Sequence, residues 1–118
     1  MLIYGFKKEK EGFMEIGDGL ESMQMFVEGH IEKTALTDRI DLICNEDGMR
    51  LGLEPRVIFH ENGKAVNAII VGDCFVCRHD GKGNFESIRK EDENLIKEQL
   101  FYLNQEKLAI LGLLFLLT

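Results

Sequence analysis

Along most of this chain apolar and polar residues alternate over short runs, and in only two places does the spacing lengthen to a helical period. Met1 to Phe6 and Phe13 to Ile16 read as two strands joined by a charged turn over 7–12. Leu20, Met23, Phe26 and Val27 then fall at helical spacing and form one apolar stripe, with Met25 off it. Asp18 is placed as the N-cap, Glu21 completes a capping-box pattern three residues on, and Gly29 is placed to end the helix. His30 to Leu36 and Arg39 to Cys44 read as strands around a Thr37-Asp38 turn.

The pattern breaks most sharply at Asn45-Glu46-Asp47-Gly48. Four turn-prone residues interrupt an apolar run that resumes at Met49 to Leu53. That predicts a β-hairpin with two carboxylates, an amide and a glycine at its tip. Pro55 interrupts the next stretch, because proline cannot donate to a sheet ladder. Val57 to Phe59 leads into Asn62-Gly63, a tight-turn signal, and Ala65 to Arg78 predicts one long apolar strand bent at Gly72. Residues 81–84 read as a flexible loop. Lys90 to Leu103 predicts a helix, with Glu91-Asp92-Glu93 at its positive end.

The order strand–strand–helix–strands–helix has no alternating βα units. It predicts an α+β fold: a mainly antiparallel sheet with hairpins, two to three helices, and a helical apolar C-terminal segment. At 118 residues the chain is expected to be a single domain, 1–118, with the apolar C-terminal segment at 104–118. Within it, Leu108 to Leu117 is ten residues without a charge. A membrane-spanning helix needs about 20, so this run is expected to be buried in the fold or against another copy, and no membrane is expected.

Charge narrows the function classes. A net charge of −7 with 14 scattered basic residues argues against direct nucleic-acid binding, which needs clustered Lys and Arg. An acidic chain of this kind suits a basic protein partner or a DNA mimic. No signal peptide is read at the start. Three cysteines, an odd number, fit free thiols in a reducing cytoplasm.

The candidate chemistry is thin. Cys74-Phe75-Val76-Cys77, with His79 two residues on, invites a zinc reading. However, residues three apart on a strand face opposite sides, and a second cysteine pair is missing. Nothing around the cysteines marks a nucleophile. Gly81-x-Gly83 lacks the features of a phosphate loop. No enzyme activity, metal or cofactor is expected. What remains is a binding cluster, Asn45, Glu46, Arg50 and Arg56, around the predicted hairpin. Guanidinium groups suit phosphate or carboxylate, and Asn or Glu suits a ribose or base edge.

Several motifs in order carry a resemblance. They are the helix from Leu20 into Val27-Glu28-Gly29-His30-Ile31-Glu32, then Ile43-Cys44-Asn45-Glu46-Asp47-Gly48, then Gly52-Leu53-x-Pro55, then Ile69-x-x-Gly72-x-Cys74-Phe75-Val76. Over roughly residues 14–100 the chain resembles a family of small uncharacterised domains found in bacterial phages, plasmids and conjugative elements. That family's pattern is Val-Gly-Gly-Tyr-Ile-Glu, Cys-Asn-Glu-Glu-Gly-Lys, Gly-Leu-Pro, Ile-x-Gly. Here Glu28 replaces the first glycine of the pair, His30 the aromatic, and Arg56 an asparagine. The resemblance implies a setting, a mobile element in bacterial cytoplasm, more than a mechanism. The expectation is a non-enzymatic accessory protein, a homo-oligomer closed through 108–117, that binds a small nucleotide-like ligand and so sequesters an immune signal. The alternative is an acidic protein that inhibits a restriction enzyme or host regulator.

Overall fold

The structure is a computed structural model that describes residues 1–60, 66–104 and 106–110. Its first sheet is built from β1 (Leu2–Phe6), β2 (Glu11–Glu15), β3 (Ile31–Ala35), β4 (Ile40–Asn45), β7 (Cys74–His79) and the short β8 (Phe85–Glu86). The strand order is β2-β1-β7-β4-β3, with β8 extending β7. A second sheet has the order β6-β5-β9, from β5 (Pro55–His60), β6 (Val66–Val71) and β9 (Leu100–Tyr102). Every strand pairing in both sheets is antiparallel. The helices are α1 (Leu20–Val27) and α2 (Glu93–Gln99), with a 3-10 turn at Lys90–Asp92 ahead of α2. The expected α+β, mainly antiparallel architecture is therefore present.

Strand alternation sorts the core into two layers. Ile3, Ile43, Phe75 and Cys77 point to one face of the first sheet, where Met23, Phe26 and Val27 of α1 cover them. Phe26 meets Phe75 edge to face at 5.1 Å, a favoured aromatic geometry. Tyr4, Phe6, Leu42, Cys44, Cys74 and Val76 point to the other face, against Val57 of β5, Ile96 of α2, and Leu100 and Tyr102 of β9. Each fully buried aliphatic side chain here is worth ~1.5–3 kcal/mol over exposure. Both cores are thus built on the same three strands, β1, β4 and β7.

Four predicted elements take a different form. The hairpin at Asn45–Gly48 does not return as a strand, and residues 46–52 form turns closed by Leu51 N donating to Asp47 O and Leu53 N to Gly48 O. β4 already has β3 on one side and β7 on the other, so it has no free edge for Met49 to Leu53. The expected long strand 65–78 is two strands in different sheets. Gly72 turns the chain between them at φ 79, and a Cβ there would stand 2.6 Å from Leu53 Cδ1.

The expected helix 90–103 ends at Gln99. Leu100 and Tyr102 point inward and Phe101 outward, a strand period that lets β9 pair with β5. At α1 the N-cap is Gly19, with no side-chain cap, so the Asp18–Glu21 box is not formed. Asp18 lies instead 3.2 Å from the amino group of Met1. The left-handed residue that closes α1 is Glu28, at φ 61, one position before Gly29.

Residues 106–110 are helical. Most of the expected 108–117 run, like the Asn62-Gly63 turn, lies outside the described residues. No helix among the described residues is long and apolar enough to cross a membrane.

Candidate functional site

The four predicted binding residues stand at the junction of the two sheets but do not form one open cluster. Asn45 is buried at the end of β4. Its Nδ2 donates to Val27 O at 3.0 Å and to Glu28 O at 3.2 Å, and its Oδ1 accepts from Asp47 N at 2.7 Å. The amide therefore satisfies carbonyls left open at the end of α1 and starts the 46–52 turn. Gly29 is a glycine for the same reason: a Cβ there would stand 2.6 Å from Asn45 Nδ2.

Arg56 is also buried, with Nε 3.2 Å from Asp73 Oδ1 and Nη1 3.3 Å from Glu54 Oε1. Both carboxylates flank the crossing between the sheets, so this guanidinium is already neutralised inside the fold. Arg50 is 71% exposed and pairs with Asp47 at 3.4 Å. Glu46 is exposed and bonds through its backbone N–H to His30 O.

Glu46 and Asn45 share a cleft with Glu32, Cys44, Met49 and Ile69, of about 90 Å³. Neither arginine lines it. Small-molecule sites usually run to about 300–1,000 Å³, so this cleft is too small for a nucleotide. A larger cavity, about 460 Å³, opens at the amino end of α1 between Asp18, Gly19, Leu20, Met23, Asn84 and Phe85. Its size suits a small molecule, and the backbone N–H groups at the start of α1 carry no side-chain cap.

The cysteines are three buried free thiols. Cys74 belongs to the core under the second sheet and Cys77 to the core under α1, so the two face opposite sides as expected. Burial pushes the Cys44 thiol up to about 11, with Glu32 adding to the shift. It pushes Cys77 up to about 12, with Asp41 adding. Such thiols are poor nucleophiles and poor metal ligands near neutral pH. Among the described residues, no three or more His, Cys, Asp or Glu side chains converge as a metal site.

Sequence reading missed two side-chain pairs because each joins distant segments. Asp41, at 0% exposure, holds His79 Nδ1 2.6 Å from its Oδ2, while its Oδ1 has no partner among the described residues. Asp41 sits directly opposite Cys77 on β7. The charged residue inside the apolar run of β4 was the only signal for it. The second pair is a two-pronged bond from Arg78 to Asp92, at 2.8 and 2.7 Å. This bond, with a further one from Arg89 N–H, holds the Asp92 carboxyl below its usual range.

The most exposed apolar feature of the second sheet is on its outer face. Ile58 of β5 is in register with Ile69 of β6 on one side and Phe101 of β9 on the other. Ile69 is 54% and Phe101 47% exposed. Lys107 lies over the Phe101 ring at 4.5 Å.

No curated protein and no solved structure matches the chain. A family model described as a domain of unknown function, DUF3846, matches residues 3–101, and the chain belongs to that family.

Proposed function

We propose that this domain is a non-enzymatic binding protein that works as a homo-oligomer. Self-association uses the outer face of the second sheet and the apolar run 108–117. One observation carries the reading: three apolar side chains, Ile69, Ile58 and Phe101, stand in register across a sheet face, with Ile69 and Phe101 exposed to water and Ile58 half-buried between them. In a chain with 30% charged residues, an ordered apolar row on one face marks an interaction surface. The setting implied by sequence, a bacterial mobile element, suits an accessory protein of this size.

Light scattering on the full chain tests it. The expected particle is larger than one copy, and Leu113→Glu with Leu116→Glu is expected to reduce its mass. A wild-type chain that stays monomeric through the micromolar range refutes the reading.

A second reading, sequestration of a small nucleotide-like signal, is favoured by the 460 Å³ cavity at the uncapped start of α1. The cluster of Arg50 and Arg56 lends it less support, because Arg56 is already paired inside the fold. Calorimetry against cyclic nucleotides and cyclic ADP-ribose isomers is expected to give heat for one of them. A folded sample silent to all of them ends this reading. The third, an acidic inhibitor of a restriction enzyme or host regulator, draws little support from exposed carboxylates distributed over β2, α1, β3 and α2.

A further inference from the structure

A sheet edge with unpaired N–H and C=O groups is a template for another strand, and folded proteins blunt such edges with charge, proline or short length. Four of the five edge strands among the described residues are blunted. β2 carries Glu11 and Glu15, β3 carries Glu32 and Lys33, β8 is only 2 residues long and β9 only 3. The fifth, β6, reads Val-Asn-Ala-Ile-Ile-Val over 6 residues, with no charge and no proline. Among the described residues its only strand partner is β5. The exposed Met49 lies beside Ile69 along one cleft and adds apolar surface there.

From this we infer that β6 of one copy pairs antiparallel with β6 of a second copy, joining the two three-stranded sheets into one, β9-β5-β6-β6-β5-β9. The inference rests on the self-association reading and gives it a partner strand and a geometry. Three observations favour a second copy as the occupant. In a two-fold contact residue i meets residue j and j meets i, so a strand whose charges are all of one sign repels its own copy, whereas β6 carries no charge to repel. In a chain of net charge −7, self-pairing through β2 instead would set carboxylates against carboxylates.

The third observation is the apolar row. It runs across the strands from Phe101 through Ile58 to Ile69 and stops at the β6 edge. Paired residues of an antiparallel ladder point to the same side, so the two-fold axis passes through a residue opposite its own copy. With Ile69 in that place, the row continues into the second copy without a break.

The test uses the full chain. Ile69→Lys places two ammonium groups at the axis and is expected to halve the particle mass, with the circular dichroism spectrum retained because position 69 is exposed. Ile69→Cys gives a readout independent of that variant's folding: mild oxidation is expected to yield a covalent dimer on a non-reducing gel. Met25→Cys, on the exposed side of α1, is expected to yield none. An Ile69→Cys chain that does not cross-link overturns the proposal. So does an Ile69→Lys chain that keeps its mass; if Leu113→Glu with Leu116→Glu still dissociates the particle, self-association stands and only its placement at β6 fails.

Discussion

Asn45 Nδ2 donates to Val27 O at 3.0 Å, which fastens the last turn of α1 to the end of β4. The two residues are 18 apart in sequence, and the contact closes the α1–β3–β4 unit at the point where the chain leaves for the second sheet. Asn45 is thereby a structural residue whose side chain faces inward.

Asn45→Ala leaves the Val27 and Glu28 carbonyls without that donor and frees the Asp47 N–H. The expected loss is ~2 kcal/mol, within the range for exposing or orphaning buried polar groups. Urea unfolding checks it: a midpoint unchanged from wild type contradicts the role. Asn45→Asp is expected to be worse, since a carboxylate there faces two carbonyl oxygens.

Glu28 occupies the left-handed region at φ 61, where an L-residue costs ~1–2 kcal/mol relative to glycine. Glu28→Gly is therefore expected to raise the melting temperature. The gain is about 1 kcal/mol less the lost side-chain contacts. A lower melting temperature means that the Glu28 side chain contributes more than its backbone strain costs.

The Asp92 carboxyl is held below its ordinary value of 3.8, first by the side-chain bond from Arg78. A carboxyl with a lowered folded-state pKa stabilises the fold above its unfolded pKa, and this contribution is lost as pH falls toward the folded value. Stability is thus expected to drop below pH 3.8 more steeply in wild type than in Asp92→Asn. Paired unfolding curves at pH 5 and about pH 3 measure it; equal drops in the two proteins exclude the pair as a source.

Among the described residues, His79 is the only hydrogen-bond partner of the buried Asp41 side chain. Removing His79 takes away the bond to the buried Asp41 carboxyl, and leaving a buried polar group unsatisfied costs ~1–3 kcal/mol. His79→Ala is expected to lose about that much, while Asp41→Asn, which keeps the shape and a polar atom facing His79, is expected to lose less. The ordering of the two variants in chemical denaturation is the check.

Burial raises all three thiols, so labelling by a disulfide reagent at neutral pH is expected to be slow until denaturant opens the fold. Fast labelling of any of the three in native conditions contradicts the packing of that strand.

How far the sequence alone carried is visible at β1, β4 and β7. Their near-continuous apolar runs already encode two buried faces, and the stripe Met23, Phe26, Val27 already marks the helix that covers one of them. It also placed Cys74 and Cys77 on opposite sides. What it left undecided depends on which strands are neighbours. Met49 to Leu53 has the composition of a strand, but both edges of β4 are occupied. Leu100 to Tyr102 continues a helical pattern, yet the edge of β5 is open to it. Arg56 carries a ligand-type guanidinium, but Asp73 and Glu54 reach it first. Local pattern fixes which side of an element is greasy; only the assembled sheets determine which edges, charges and carbonyls still lack a partner.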